Sequence, residues 1–370
     1  MLSILTLGGA TIDTILEYSE PETLNLQSTH GTLSYLLLEE GKKIEVTSLG
    51  FYTGGGATNS AVAFKRLGFH VAAFFKVGMD AQGERIFQEL QNMDIDTQWS
   101  TIDPVLQTAN SYIIPSLKGD RTVLASRGAN AGLLEKDLPF NAIKAADCLY
   151  ITSLSGLSAA QLPILTQFAQ RSNVKVAINP GISQLRLGGD FIAQALPFIN
   201  ILILNSSEAK QLMVSLVRAH DLKTEKGSNP STTPHKNNRP ELLFNAITHE
   251  DIRFSLTDFF RHVLALGPQY VVVTDGDKGV YAAHEKYIYF HPSVALEKIV
   301  NTLGAGDAFG SSFVAMLMQE GVIETAIRAG VVNSAAVVGV CDAKTGLLGR
   351  RDLARRVSRL DRHLLQRFKY

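Results

Sequence analysis

The sequence predicts an α/β protein in which helices cover both faces of a mostly parallel central sheet. Two observations carry this prediction. Short apolar runs alternate along the chain with longer stretches of helical periodicity, which is the pattern of successive strand–helix units. Glycine-rich stretches follow some of these runs, and such loops open ligand sites at the carboxyl ends of parallel strands.

The individual elements follow from local patterns. Continuous apolar runs predict buried strands over residues 3–8, 71–77, 148–152, 174–178, 201–204 and 270–274. Apolar residues at helical spacing predict helices over residues 60–67, 84–93, 159–170, 191–196, 308–317 and 326–340.

Four segments depart from this alternation. Residues 17–46 contain turn residues between short strand-like stretches, and residues 111–124 suit a hairpin with a glycine turn. Residues 220–240 are almost entirely polar, which predicts a mobile surface insertion. In residues 350–370, seven arginines and one lysine accompany leucines at helical spacing, which predicts a terminal helix docked on the body.

Composition narrows the class of protein. A chain of 370 residues with 45% hydrophobic residues can bury one large core, or a core and a small appendage. The formal net charge is zero, so we expect no binding to nucleic acid or to a membrane surface. No apolar run reaches membrane-spanning length, and no basic leader precedes the first strand. A cytoplasmic protein is therefore expected.

The stretch with the clearest chemistry runs from residue 301 to residue 309. Gly304, Ala305 and Gly306 lead into Asp307, which lies in the first turn of a predicted helix. Unpaired amides at a helix N-terminus bind anions, and a carboxylate beside them can take the proton of a hydroxyl group. The alternative is an aspartate that only caps the helix.

A second glycine-rich stretch, Gly54-Gly55-Gly56-Ala57-Thr58-Asn59, opens the helix predicted at residue 60. Together the two stretches resemble the paired signatures of the ribokinase (PfkB) family of carbohydrate and nucleoside kinases. The resemblance extends from about Leu5 to Leu347, although Asn301 and Leu303 differ from the family pattern. It implies a ribokinase-like fold with a small β-sheet lid.

The resemblance also implies boundaries and a surface for self-association. We expect the lid to comprise residues 17–46 and 108–126. The main α/β domain would comprise residues 1–16, 47–107 and 127–370. The lid is the surface through which we expect a homodimer to form.

The resemblance assigns roles to individual residues. Asp307 would be the general base, with Gly304, Ala305 and Gly306 as the anion hole. Glu208 would act on Mg²⁺. The acceptor would be bound by Asp13, Gly55, Gly56, Asn59 and Asn130, and ATP by Asn205, Thr274, Gly276, Gly279 and Asn333.

Simpler structural roles remain open for several of these residues. Asp13 and the loop from Thr274 to Gly279 could be turns, and Asn205 with Glu208 could form a helix capping box. Asn333 could bond only to the backbone. Many members of the family use a K⁺ ion beside the anion hole. Because Asn301 replaces the aspartate that supplies part of the charge there, we expect a weak response to K⁺ or none.

The predicted function is ATP-dependent phosphorylation of a hydroxyl group on a sugar or sugar-like substrate, with Mg²⁺. Two alternatives share the fold, namely a nucleoside kinase and a catalytically silent ligand-binding or regulatory protein. A nicotinamide oxidoreductase is disfavoured because Gly8-Gly9-Ala10 does not form the G-x-G-x-x-G fingerprint.

Overall fold

A computed structural model describes residues 1–17, 22–28, 31–115, 121–220, 240–249, 252–296 and 299–369. Its strands are β1 (Ser3–Leu7), β2 (Thr11–Glu17), β3 (Glu22–Ser28), β4 (Gly31–Leu37), β5 (Ser48–Gly54), β6 (His70–Phe74), β7 (Lys76–Gly78), β8 (Thr101–Asp103), β9 (Ala109–Pro115), β10 (Arg121–Ser126), β11 (Cys148–Ile151), β12 (Lys175–Ile178), β13 (Ile201–Asn205), β14 (Ile247–His249), β15 (Ile252–Phe254), β16 (Tyr270–Thr274), β17 (Val280–His284), β18 (Tyr287–His291) and β19 (Gln366–Lys369). Its helices are α1 (Gly56–Arg66), α2 (Ala81–Asn92), α3 (Phe140–Ala145), α4 (Leu162–Arg171), α5 (Ile182–Ala195), α6 (Ser206–His220), α7 (Glu241–Phe244), α8 (Leu256–Ala265), α9 (Ala305–Glu320), α10 (Ile323–Val338) and α11 (Arg350–Arg359).

The central sheet has the strand order β19-β18-β17-β16-β13-β12-β11-β1-β6. The strands from β16 to β6 are parallel to one another, and β17, β18 and β19 extend the sheet with antiparallel pairing. The predicted mostly parallel sheet is therefore confirmed. The run predicted as a single strand at residues 71–77 forms two strands, because the chain leaves the central sheet after Phe74 and β7 pairs with β8.

Helices cover both faces of this sheet because its strands send alternate apolar side chains to opposite sides. On β11, Tyr150 belongs to the core that includes residues of α1, α9 and α10. Its neighbours Leu149 and Ile151 belong to the second core, which includes residues of α4, α5, α6 and α8. The catalytic helix predicted at residues 308–317 is α9, and its residues from Ala308 to Leu317 are buried.

A separate four-stranded sheet has the order β10-β9-β2-β5. It lies partly outside the boundaries predicted for the lid, because residues 11–16 and 48–54 were assigned to the main domain. β2 belongs to this sheet because it pairs in parallel with β9, which is distant in sequence. No local sequence pattern predicts a pairing of that kind. Residues 17–46 contribute instead the hairpin of β3 and β4, a two-stranded sheet of its own.

The carboxyl-terminal segment also differs from its prediction. The docked helix α11 ends at Arg359, well before the end of the predicted helical stretch. The chain then forms β19, which pairs with β18 and covers what would otherwise be the exposed edge of the central sheet. The polar insertion predicted at residues 220–240 lies almost wholly outside the described residues. No helix in the described part of the chain is long and apolar enough to cross a membrane.

Candidate active site

The predicted anion pocket is the first turn of α9, where the N–H of Ala305 donates to the carbonyl of Thr302 at 3.4 Å. Gly304 precedes the helix with φ of 75°, a left-handed conformation that suits glycine. A Cβ atom at Gly304 would lie 2.4 Å from the Cβ of Ala343, so the close approach of the two loops also requires glycine. A Cβ atom at Gly306 would meet no protein atom within 4 Å, so open space lies above the first turn. The amides of this turn can therefore receive an anion.

Asp307 projects from this first turn and is held by a residue from the other half of the chain. The side-chain amide of Asn59 on α1 donates a hydrogen bond of 2.8 Å to Oδ2 of Asp307. Burial raises the pKa of the Asp307 carboxyl group above its ordinary value, and the nearby charge of Asp13 acts in the same direction. The Asn59 hydrogen bond and the charge of Lys344 act in the opposite direction.

The glycines before α1 allow three segments of the chain to approach one another. Gly55 has φ of 95°, and a Cβ atom there would lie 2.4 Å from the carbonyl oxygen of Gly9. A Cβ atom at Gly56 would lie 2.6 Å from the side chain of Thr152 at the end of β11. Both glycines thus pack α1 onto the ends of β1 and β11, which places Asn59 beside Asp307.

Asp13 and Asn130 were both predicted to bind the acceptor, but they have different surroundings. Asp13 is buried in β2 and accepts a hydrogen bond of 3.1 Å from the hydroxyl group of Thr11. Burial raises the pKa of its carboxyl group. The amide of Asn130 accepts from the N–H of Ala10 and donates to the carbonyl of Ala10, each at 3.0 Å. Asn130 therefore holds the loop after β1 through its backbone.

Four of the five residues predicted to bind ATP lie at or just beyond the carboxyl ends of two neighbouring strands. Asn205 and Thr274 are directly paired where β13 and β16 end. Beyond them, Gly276 has φ of 59°, and a Cβ atom there would meet no protein atom within 4 Å. Gly279 packs instead on β18, since a Cβ atom there would lie 2.3 Å from the carbonyl oxygen of His291. The turn thus has an open side and a packed side.

Glu208 and Asn205 form a reciprocal pair at the start of α6. The N–H of Asn205 donates to Oε2 of Glu208 at 2.8 Å, and the N–H of Glu208 donates to Oδ1 of Asn205 at 2.9 Å. This is the geometry of a capping box. Burial raises the pKa of Glu208 from 4.5 to about 7. The described residues contain no cluster of three or more histidine, cysteine, aspartate or glutamate side chains that could hold a metal ion.

This donor set still suits Mg²⁺ bound mainly by water and phosphate. Mg²⁺ in phosphate-transfer sites commonly uses one or two protein carboxylates and retains several waters. Glu208 is the carboxylate predicted for that role, and it lies close enough to Asp307 for the charge of Asp307 to raise its pKa. Mg²⁺ bound here would supply positive charge to the transferring phosphate.

Asn333 lies in the packing between helices. Its side-chain amide donates to the hydroxyl of Ser312 at 2.7 Å and accepts from the N–H of Leu348 at 2.8 Å. The residue is fully buried, so this geometry favours the structural alternative to a contact with adenine.

The structure brings two cations to the site that the sequence did not indicate. The guanidinium group of Arg121 on β10 donates to the hydroxyl of Thr302, in the loop before the anion pocket. Lys344 follows α10 and is 6% exposed. Its ammonium group contacts the hydroxyl of Thr53 at 2.5 Å and Glu89 at 2.9 Å. The partners of both cations are distant in sequence, so no local motif identifies either residue.

Comparison with known proteins gives the family. The family described as pfkB family carbohydrate kinase matches residues 29–237 and 230–347. The ribokinase of Haemophilus influenzae is 24% identical over 301 residues, covering 81% of this chain and 85% of that protein. The nucleoside kinase of Methanocaldococcus jannaschii is 22% identical over 329 residues, covering 88% of this chain and 91% of that protein.

Solved structures show the same fold. The structure of Arabidopsis thaliana ribokinase complexed with ribose and ATP aligns with a TM-score of 0.71 and 17% identity, covering 98% of this chain and all of that chain, 100%. The chain therefore belongs to the pfkB family of carbohydrate kinases and has the ribokinase fold. The family and fold expected from the two glycine-rich stretches are confirmed.

Proposed function

We propose that this kinase transfers the γ-phosphoryl group of ATP to a hydroxyl group of a sugar or sugar-like acceptor, with Asp307 as the general base. The observation that carries the proposal is the hydrogen bond between Asp307 and Asn59. It joins a carboxylate in the first turn of α9 to an amide from α1. A proton acceptor and donors for a transferring phosphoryl group are the two functions that this reaction needs.

In the proposed reaction, Asp307 accepts the proton of the acceptor hydroxyl group. The hydroxyl oxygen then bonds to the γ-phosphorus, and the bond from that phosphorus to the leaving oxygen of ADP breaks. The amides of Ala305, Gly306 and Asp307 stabilise the charge on the transferring group. Asp13 and Asn59 orient the acceptor, while Asn205, Thr274 and Gly276 face the phosphates of ATP. ATP is the donor because the ribokinase of A. thaliana binds it in the same fold.

The experiment is a phosphorylation screen with ATP and MgCl₂ across pentoses, hexoses, sugar phosphates, sugar acids and nucleosides. Formation of ADP that depends on a sugar acceptor supports the proposal. A nucleoside as the best acceptor would instead support the alternative suggested by the M. jannaschii relative. Asp307→Asn is the control, since it should lower turnover by about 10²- to 10⁴-fold while the fold is retained. A wild-type protein that turns over no acceptor would support the catalytically silent alternative.

We further propose that the four-stranded sheet forms a homodimer. Phe51, Thr14, Tyr112 and Leu124 occupy one row across its strands, on the face opposite Asp13. The three large members of this row are 52%, 46% and 54% exposed, in that order. A row of exposed apolar side chains on a sheet favours a protein partner, and an identical copy is the simplest one.

Sedimentation measures this association directly. The wild type should sediment as a dimer, and Tyr112→Glu combined with Leu124→Glu should sediment as a monomer. Val105→Glu changes an apolar residue that is 85% exposed outside this sheet, and it should remain dimeric. A monomeric wild type would refute the proposed dimer.

A further inference from the structure

The turn after α10 carries a buried cation that the reaction described above does not use. Lys344 is 6% exposed, and its ammonium group lies 2.9 Å from Oε1 of Glu89 and 2.5 Å from the hydroxyl of Thr53. The hydroxyl of Thr53 in turn donates to Glu89 at 2.5 Å. Taking an ammonium group out of water is costly, so a buried lysine indicates either a structural ion pair or a functional charge.

The position of Lys344 favours a functional charge. Its neighbour Ala343 packs directly against Gly304, the residue that begins the anion pocket. Asp342 fixes the turn, because its carboxylate accepts from the N–H groups of Lys344 and Thr345 at 2.7 Å each. The hydroxyl of Thr53 accepts a hydrogen bond from the ammonium group. Thr53 immediately precedes Gly54, and the Asp13 carboxylate packs against Gly54. The turn thus carries the ammonium group into the neighbourhood of Asp13 and Asp307, and its charge lowers the pKa of both carboxyl groups.

The two carboxylates create the need for such a charge. Asp13 is buried and Asp307 is partly buried, and the charge of Asp13 disfavours ionisation of Asp307. A general base must be ionised to accept a proton. The charges of Asp13 on β2 and of Lys344 after α10 act on Asp307, and those of Lys344 and Arg121 on β10 act on Asp13. The charge of Asp307 in turn raises the pKa of Tyr150 on β11 and of Glu208 on α6.

We propose that Lys344 is a positioning residue whose positive charge keeps the Asp307 carboxylate ionised near neutral pH. Glu89 and Thr53 hold the ammonium group in place, and Glu89 also weakens its effect by partial neutralisation. The inference rests on the proposed role of Asp307 as general base. It adds an electrostatic function for a residue that does not contact either substrate.

The test compares charge changes of opposite sign. Lys344→Met removes the positive charge, so the acid limb of the profile of kcat/KM against pH should move to higher pH. A shift of about one pH unit is expected, which is about a tenfold loss of kcat/KM below the limb. Glu89→Gln removes the opposing charge, so the limb should move to lower pH. Lys344→Arg keeps the positive charge and should leave the acid limb where it is in the wild type. Lys286→Met, in the turn between β17 and β18, should also leave the acid limb unchanged.

The kinetic probe is D-ribose with ATP and MgCl₂, or the acceptor with the highest kcat/KM in the screen if D-ribose is not phosphorylated. A second readout needs no acceptor. The γ-carbon of Asp307 in protein labelled at aspartate is titrated by NMR and assigned by its loss in Asp307→Asn. Lys344→Met should raise the pKa of this group and Glu89→Gln should lower it.

The outcomes separate this inference from the proposed function. Opposite shifts in the two variants support the role of Lys344, whereas equal shifts or none refute it, because a purely structural pair gives no dependence on the sign of the charge. If Lys344→Met does not fold, Glu89→Gln and Lys344→Arg still decide the question by the same titration. If the wild type phosphorylates no acceptor, the proposed function fails while the NMR titration still tests the effect of Lys344 on Asp307.

Discussion

Replacing Glu208 by Gln tests whether this buried carboxyl group is only part of a helix cap or also a magnesium ligand. In the folded protein its pKa is raised to about 7 by burial, against an ordinary value of 4.5. The folded state therefore holds a proton that the unfolded chain has already lost. Its contribution to stability is fully present below about pH 4.5 and is lost as the pH rises through about 7.

The magnitude follows from the size of this pKa shift. It corresponds to about 3 kcal/mol of unfolding free energy, with the full loss reached near pH 8. Glutamine keeps an oxygen that can accept from the N–H of Asn205, but it cannot ionise. Glu208→Gln should therefore remove most of this pH dependence and should be more stable than the wild type near pH 8.

Urea denaturation at about pH 5 and pH 8 measures the free energy of unfolding of the wild type and of Glu208→Gln. Glu320→Gln, which changes an exposed carboxylate at the end of α9, is the control. MgCl₂ added near pH 8 should stabilise the wild type, because the ion favours ionised Glu208, and should have little effect on Glu208→Gln. A wild type whose unfolding free energy does not fall over this range would refute the argument from burial. Identical responses of both proteins to Mg²⁺ would leave Glu208 as a helix cap alone.

Three further predictions concern the reaction. Asp307→Asn should lower kcat by about 10²- to 10⁴-fold with little change in the KM for ATP, and a variant that keeps most of its turnover would contradict the general base. Asp13→Ala should raise the KM for the acceptor and leave the KM for ATP nearly unchanged. A change confined to the KM for ATP would show that Asp13 does not bind the acceptor. The side-chain amide of Asn301 donates a hydrogen bond of 2.9 Å to the carbonyl of Cys341. An aspartate at this position could not donate that bond, and its negative charge would favour a bound cation. The initial rate of the wild type should therefore respond weakly to KCl at constant ionic strength, and that of Asn301→Asp should respond more strongly. Saturable activation of the wild type at low K⁺ concentration would show that Asn301 does not prevent cation use.

The sequence by itself determined the strands of the parallel sheet and the helix that begins beside Asp307, the proposed general base. Strands such as β11 and β16 are buried on both faces, so they are nearly continuous apolar runs that can be recognised locally. Asp307 could be recognised because small residues precede it and a buried helix follows it. These signals depend only on neighbouring residues.

Only the tertiary structure decided how side chains from distant segments are used. Lys344 and Glu89 are separated by 255 positions, and a lysine in a polar turn resembles any surface lysine until its surroundings are known. The amides of Asn130 and Asn333 are occupied by backbone and side-chain partners that no local pattern reveals. The end of the chain forms β19 because the edge of β18 is there to pair with it. Strand pairing and charge burial depend on residues brought together by folding, so the order of residues in a short window cannot specify them.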